Sequence, residues 1–198
     1  MNRLESTLVD VVDRLNRFGS GCALVGGLAV SVRAEPRFTR DIDLAVVAID
    51  DKTAESLVRL LVDRGFRILA TVEQEAVNRL ATVRLVPPGE TDDGVVVDLL
   101  FASSGIEPEV VRMAEKIEVF QGVVINVART GHLIALKILA CADNRPQDEV
   151  DLRSLLLDSS DADITEAGDA LKLVTERGFD RGRNLTETLK TAVTRWRP

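Results

Sequence analysis

The sequence predicts an α/β (α+β) protein: a mixed sheet flanked by helices, followed by a C-terminal helical part. Three observations carry this. Short apolar runs bounded by Gly, Pro or charged residues alternate with stretches whose apolar residues recur at spacings of three and four, as strands and helices in turn require. Beyond Val127 every periodic stretch is helical, which divides the chain into an expected core over 1–127 and a helical region over 128–198 packed on it. With 198 residues, 45% hydrophobic and 29% charged, the chain is long enough to bury a substantial core.

Taken in order, Leu4, Leu8, Val11, Val12 and Leu15 predict an amphipathic helix stopped at Phe18-Gly19. Cys22–Val25 reads as a short buried strand, Gly26-Gly27 as a tight turn, and Leu28–Ala34 as a helix ended before Pro36. Asp41–Val47 alternates and then turns apolar, as a strand entering a sheet does. A helix over Asp51–Arg64 ends at Gly65. Phe66–Leu69, Leu80–Val86 and Val95–Phe101 read as strands, with an exposed loop from Pro87 to Gly94. A helix over Glu107–Glu115 precedes a hairpin, Ile117–Phe120 and Val123–Val127, turning at Gln121-Gly122. Four helices follow, over Thr130–Ala142, Asp148–Leu157, Ala162–Glu176 and Leu185–Trp196.

Composition excludes several kinds of chemistry. A net charge of −7 gives no overall field toward nucleic acid, although the last 22 residues hold 6 basic side chains against 2 acidic. The single histidine, His132, removes His-rich metal sites and a Ser-His-Asp triad, and reads as a packing or surface residue. Cys22 and Cys141 lie in apolar segments and are expected as free thiols. No export signal or membrane-spanning stretch is readable, so no membrane partner and a cytoplasmic location are expected.

Three carboxylates carry the chemistry. Asp41 and Asp43 lie two apart on a predicted strand, so both leave one face about 7 Å apart while Ile42 goes to the other. Asp98 sits in Val95-Val96-Val97-Asp98-Leu99-Leu100-Phe101, whose apolar residues imply a strand buried on both faces. An unpaired carboxylate there costs several kcal/mol, so something must compensate it. A divalent cation shared by Asp41, Asp43 and Asp98 would do so, and all-oxygen ligation suits Mg²⁺, with Mn²⁺ as the alternative. The plainer alternative is that Asp41 pairs with Arg37 or Arg40 and that Asp98 is a strand end facing water.

Gly26-Gly27 between a strand and a helix places backbone N–H groups where an anion binds. The succession Gly26-Gly27, Arg37-Phe38-Thr39-Arg40-Asp41-Ile42-Asp43 and a later strand Asp98 resembles the nucleotidyltransferase superfamily of DNA polymerase β type. Thr39–Asp43, Val97–Gly105, His132–Lys137 and Arg145-Pro146-Gln147-Asp148-Glu149-Val150-Asp151-Leu152 resemble, within it, the AbiEii and MenA group of toxin nucleotidyltransferases. The resemblance runs from about Cys22 to Leu157. It implies a nucleotidyltransferase-type fold and an enzyme moving an NMP from an NTP to an acceptor hydroxyl with release of pyrophosphate. It implies Asp41, Asp43 and Asp98 as metal ligands, with Asp98 taking the acceptor proton. Gly26, Gly27, Thr39, Arg40, Lys137 and Asp148 would bind nucleotide. The acceptor would be RNA, the 3′ end of a tRNA in particular, and an antitoxin protein would be the partner. Transfer to a small molecule or a protein hydroxyl, and a non-catalytic nucleotide-binding module, are the alternatives. Lys137, set among apolar residues, must reach a partner: nucleotide phosphates with Asp148 orienting it, or a purely structural ion pair with Asp148 or Asp151.

Overall fold

Strand β1 (Cys22–Val25), four residues all buried, is the hub of the molecule. A computed structural model describes residues 2–75, 77–141 and 146–197. In it β1 pairs antiparallel with β2 (Asp41–Val46) and parallel with β7 (Val123–Val127). Outward from β2 come β5 (Val96–Leu100), parallel to it, then β4 (Arg79–Val86) and β3 (Arg67–Gln74), both antiparallel; outward from β7 comes β6 (Glu115–Phe120). The result is a seven-stranded mixed sheet in the order β3-β4-β5-β2-β1-β7-β6, as the sequence leads one to expect of a mixed α/β protein.

Helices cover this sheet because each has one apolar stripe to bury. Helix α1 (Arg3–Phe18) buries Leu8, Val11 and Leu15, starts at a reciprocal Asn2–Glu5 cap and stops at Gly19 in the left-handed region. Helix α2 (Gly26–Arg33) follows β1 without a break, so the glycine pair read as a turn is the first turn of the helix. Helices α3 (Asp51–Val62) and α4 (Glu107–Met113) complete the first part. Helix α5 (Thr130–Ala140) is apolar almost all round, and α6 (Pro146–Leu157), α7 (Asp161–Glu176) and α8 (Leu185–Trp196) pack about it. One continuous apolar core runs from Leu8 through the sheet to Leu185 and Ala192.

The structure differs from the sequence reading at β3, which extends to Gln74 and not to Leu69. It is an edge strand, mostly solvent-facing, so no apolar alternation marks it, and pairing to β4 alone defines it. Cys22 and Cys141 are free thiols, and burial pushes the Cys22 thiol up to about 11. Among the described residues no helix is long and apolar enough to cross a membrane.

Candidate active site

Register builds the site. Arg84 on β4 stands opposite Asp98 on β5, Asp98 opposite Asp43 on β2, and Asp43 opposite Val25 at the end of β1. Residues directly opposite across a sheet share a face, so Arg84, Asp98 and Asp43 form one row on one surface, and Asp41, two residues before Asp43, joins it. The row floors an open cleft of about 1000 Å³. Gly26, Gly27, Arg37 and Thr39 line it on one side, Lys137, Gln147 and Asp148 on another, and Val72 and Thr82 on the β3–β4 wing. Of the residues singled out from the sequence, Asp41, Asp43, Asp98, Gly26, Gly27, Thr39, Lys137 and Asp148 all line this one cleft.

Arg40 is not among its lining residues. Alternation along the extended segment 37–41 sends Arg37, Thr39 and Asp41 toward the cleft and Phe38 and Arg40 the other way. Arg40 instead donates to the Asp93 carbonyl at 2.9 Å and lies 5.5 Å from the centre of the exposed Phe38 ring. Arg145 lies outside the described residues.

The compensation that Asp98 needs comes from a residue the sequence reading missed. Arg84 donates through Nε at 2.8 Å and Nη2 at 2.6 Å to the two oxygens of Asp98, which is only 7% exposed. The same Nη2 lies 3.9 Å from Asp41. This fork-to-fork pair holds the guanidinium even more firmly protonated than usual. The one available signal was a lone Arg in an apolar strand, Val83-Arg84-Leu85, matching a lone Asp in another. Among the described residues Asp43 has no such partner. Burial, then the neighbouring Asp98 and Asp41, push its carboxyl up to about 7, against the pull of Lys137 and Arg84.

Asp43 also rests against the start of α2. A β-carbon on Gly26 would fall 1.9 Å from Asp43 Oδ2, and Gly26 has φ +64, so glycine is required there twice over. At Gly27 a β-carbon would meet the Arg37 guanidinium at 2.2 Å. Among the described residues no side chain caps this end of α2, whose first residues, Gly26 and Gly27, line the cleft.

Lys137 reaches from α5 to α6. Its Nζ lies 2.8 Å from Asp148 Oδ1 and 2.7 Å from Asp151 Oδ2. Burial works to lower its pKa, but the two carboxylates outweigh it and hold the ammonium above its ordinary value. Asp151, 1% exposed, also takes a bidentate bond from Arg37 at 2.7 and 2.9 Å and one from Gln147 at 3.1 Å. Burial would raise the Asp151 carboxyl, yet Arg37 and Lys137 bring it below the usual range. Arg37 therefore serves as a strut between the segment before β2 and α6. Asp148 borders the cleft beside Lys137.

On the far wall the loop after β5 is held by buried Glu107, which accepts from the Ser103 and Ser104 N–H groups and the Ser104 hydroxyl. The arginines of the chain end are largely committed to the protein itself. Arg177 pairs with Glu109, Arg195 with Glu149 and Arg197 with Asp161, while Arg183 donates to the carbonyls of Leu139 and Cys141 at the end of α5. His132, in the first turn of α5, is buried as expected of a packing residue.

The donor set is oxygen only, which suits a hard divalent cation in kind. Among the described residues no three His, Cys, Asp or Glu side chains are gathered as a finished metal cluster, and both oxygens of Asp98 are turned to Arg84. The cleft thus combines Asp98 paired to Arg84, Asp41 at the edge of the same guanidinium, Asp43 beside them, an uncapped helix start and a lysine, a combination able to hold a polyphosphate and the cation that accompanies it.

Comparison with known proteins bears on the family and the fold. The family model described as nucleotidyl transferase AbiEii toxin, type IV TA system, matches residues 11–195. No curated protein sequence matches. Among solved structures, an antigenic nucleotidyltransferase-like protein from Paracoccidioides brasiliensis is 19% identical with a TM-score of 0.52, over 94% of this chain and 92% of that one. The lincosamide antibiotic adenylyltransferase LnuA in its lincomycin-bound form is 14% identical with a TM-score of 0.48, over 76% of this chain and 95% of that one. The first of these shares the fold.

Proposed function

Since the chain belongs to the AbiEii nucleotidyl transferase toxin family and is a nucleotidyltransferase, we propose that it moves an NMP from an NTP to an acceptor hydroxyl with release of pyrophosphate, in the cleft floored by Asp41, Asp43 and Asp98. The observation that carries this reading is the cross-strand row, which sets Asp98 and Asp43 side by side within reach of Asp41 and beneath the start of α2.

Asp41 and Asp43, with Asp98, are the residues that would hold Mg²⁺ or Mn²⁺. Bound there, the cation supplies charge neutralisation on the phosphate oxygens and readies the attacking hydroxyl. The N–H groups of Gly26 and Gly27 receive phosphate oxygens, and the ammonium of Lys137, oriented by Asp148, adds the positive charge the polyphosphate needs. Asp98, once Arg84 releases it, accepts the proton of the acceptor hydroxyl in this reading. Thr39 stands at the mouth of the same wall and adds a hydroxyl donor. Phosphoryl-type transfer asks little beyond such positioning and neutralisation.

The family's description as a type IV toxin supports an antitoxin protein as partner, and the acceptor that goes with this reading is RNA, the 3′ end of a tRNA in particular. One observation favours a small-molecule acceptor instead. Arg177, Arg183, Arg195 and Arg197 are spent on internal partners, which leaves the acidic chain poorly supplied for phosphate contacts. Incubation with each labelled NTP and Mg²⁺, with either total RNA or a panel of hydroxylated small molecules, decides between them. Label on RNA supports the toxin reading and label on a small molecule the second. Absence of label from both, and from the proteins of a cell extract treated alike, with intact folded enzyme, overturns the transferase assignment of this cleft.

A further inference from the structure

We infer that Arg84 is a stand-in counter-ion for the cation, holding Asp98 in the metal-free protein and yielding it only when a cation arrives together with a nucleotide whose phosphates take over the guanidinium. The inference rests on the cleft being the cation and nucleotide site proposed above.

Three features lead to it. First, Arg84 spans both oxygens of Asp98 at 2.6 and 2.8 Å, so a divalent cation sharing that carboxylate would sit beside a fixed positive charge. Two cations on one carboxylate repel, and the guanidinium must loosen its hold. Secondly, Arg84 can move. Its side chain is 41% exposed against 10% for Asp98, it lines the cleft, and its Nη2 already points between Asp98 and Asp41 at 3.9 Å from the latter. Thirdly, the pair answers a problem that any acidic metal site has before loading. Asp41, Asp43 and Asp98 on one surface repel one another, and Asp98 is buried; a side chain that neutralises the most buried of the three keeps the fold intact without metal.

A consequence is coupling between two ligands. A cation alone must displace Arg84 into water. A cation bearing a polyphosphate offers the displaced guanidinium a bidentate anionic partner in the same cleft. Nucleotide should therefore improve cation binding, and the reverse by the same factor. Toward Asp98, Arg84 acts as a positioning residue that decides when the carboxylate is available, and once displaced it binds the nucleotide's phosphates.

The test is a Mn²⁺ titration of the full chain, followed by electron paramagnetic resonance of free Mn²⁺, for wild type, Arg84→Gln, Arg84→Lys and Asp41→Asn/Asp43→Asn. Each is measured alone and with a nonhydrolysable NTP. Without nucleotide, Arg84→Gln should bind Mn²⁺ about tenfold more tightly than wild type. Arg84→Lys, which keeps a charge but loses the fork, should lie between them. Nucleotide should tighten Mn²⁺ binding more in wild type than in Arg84→Gln. Equal or weaker Mn²⁺ binding by Arg84→Gln, or equal nucleotide enhancement in both, overturns the inference. Should Arg84→Gln fail to fold, Arg84→Lys carries the same comparison with a smaller shift. Mn²⁺ binding that Asp41→Asn/Asp43→Asn abolishes but Arg84→Gln leaves unchanged sinks the role of Arg84 alone. No Mn²⁺ binding to any form, with or without nucleotide, sinks the cation-site reading and this inference with it.

Discussion

Asp43 and Asp98 face each other from adjacent parallel strands, and among the described residues only Asp98 is held by an arginine. Asp98 is neutralised by Arg84, whereas Asp43 is pressed against the start of α2 with like charges on either side and its carboxyl raised to about 7. The cleft is thus built with an unresolved repulsion at its centre, and that repulsion is where its behaviour can be probed.

Replacing Asp41 and Asp43 together by Asn removes two of the three carboxylates of the row and leaves Asp98 with Arg84. Transfer should fall by at least about a hundredfold, the scale of losing one preorganised electrostatic group. Thermal stability without metal should hold or rise, because the repulsion goes with the charges. Labelled-NTP turnover and a melting curve on the same preparation check both halves, and turnover at the wild-type rate would remove these residues from the site.

Asp148 and Asp151 share Lys137 but differ in surroundings, which separates structure from binding. Asp151→Asn leaves Arg37 and Lys137 around a buried neutral amide and should cost about 3 kcal/mol. Asp148→Asn, at the cleft edge, should cost about 1 kcal/mol and still weaken NTP binding several-fold. Urea unfolding with nonhydrolysable-NTP titration reads the two effects, and the opposite ranking would reverse the roles assigned to the pair.

Gly26→Ala meets both a positive φ and the Asp43 carboxylate. The expected loss is about 1–3 kcal/mol of stability together with a large drop in transfer, since the only relief is for Asp43 to move. Gly122, also at positive φ but with open space around it, is the control: Gly122→Ala should cost about 1 kcal/mol and leave transfer alone.

His132 supplies a pH signature away from the cleft. Burial first, then Arg129, depress its pKa to about 4, so the folded protein keeps it neutral. Between about pH 6.5 and 4 the unfolded chain takes up a proton that the folded one refuses, and stability falls as pH falls. Glu166, 3.8 Å away, is shifted up by burial and Asp43 is raised as well, so both oppose this slope in the wild type. The difference between wild type and His132→Gln isolates the histidine. On going from pH 7.5 to 4.5 the wild type should lose about 2–3 kcal/mol more than the variant in urea unfolding, and parallel losses would show that His132 titrates normally.

Much of this architecture is legible in the sequence where one face or a cap is unambiguous. The run Cys22–Val25 is bounded by glycines, and Leu185–Trp196 begins after an Asn cap, so both elements are readable to the residue. Asp41 and Asp43 share a face by the period of a strand alone. What could not be read is what depends on register. Asp98 needs a positive partner, but whether Arg84 meets it or faces away turns on a one-residue slip between β4 and β5. The same holds for Arg40, whose neighbour Thr39 enters the cleft while it does not. The Arg37–Asp151 strut joins segments 114 positions apart, beyond the reach of any local pattern.

That separation bears on how the enzyme comes into being. The row of aspartates is complete once β5 has been made, but β1 finds its parallel partner only at Val127, and Lys137 and Asp151 come later still. Closing so long a loop is slow, and translation itself proceeds at about 5–20 residues per second. A chain still leaving the ribosome therefore carries the acidic floor for several seconds without its lysine, its strut or the Arg183 clasp on α5. The cleft is in this way unfinished until the residues up to Arg183 have been made.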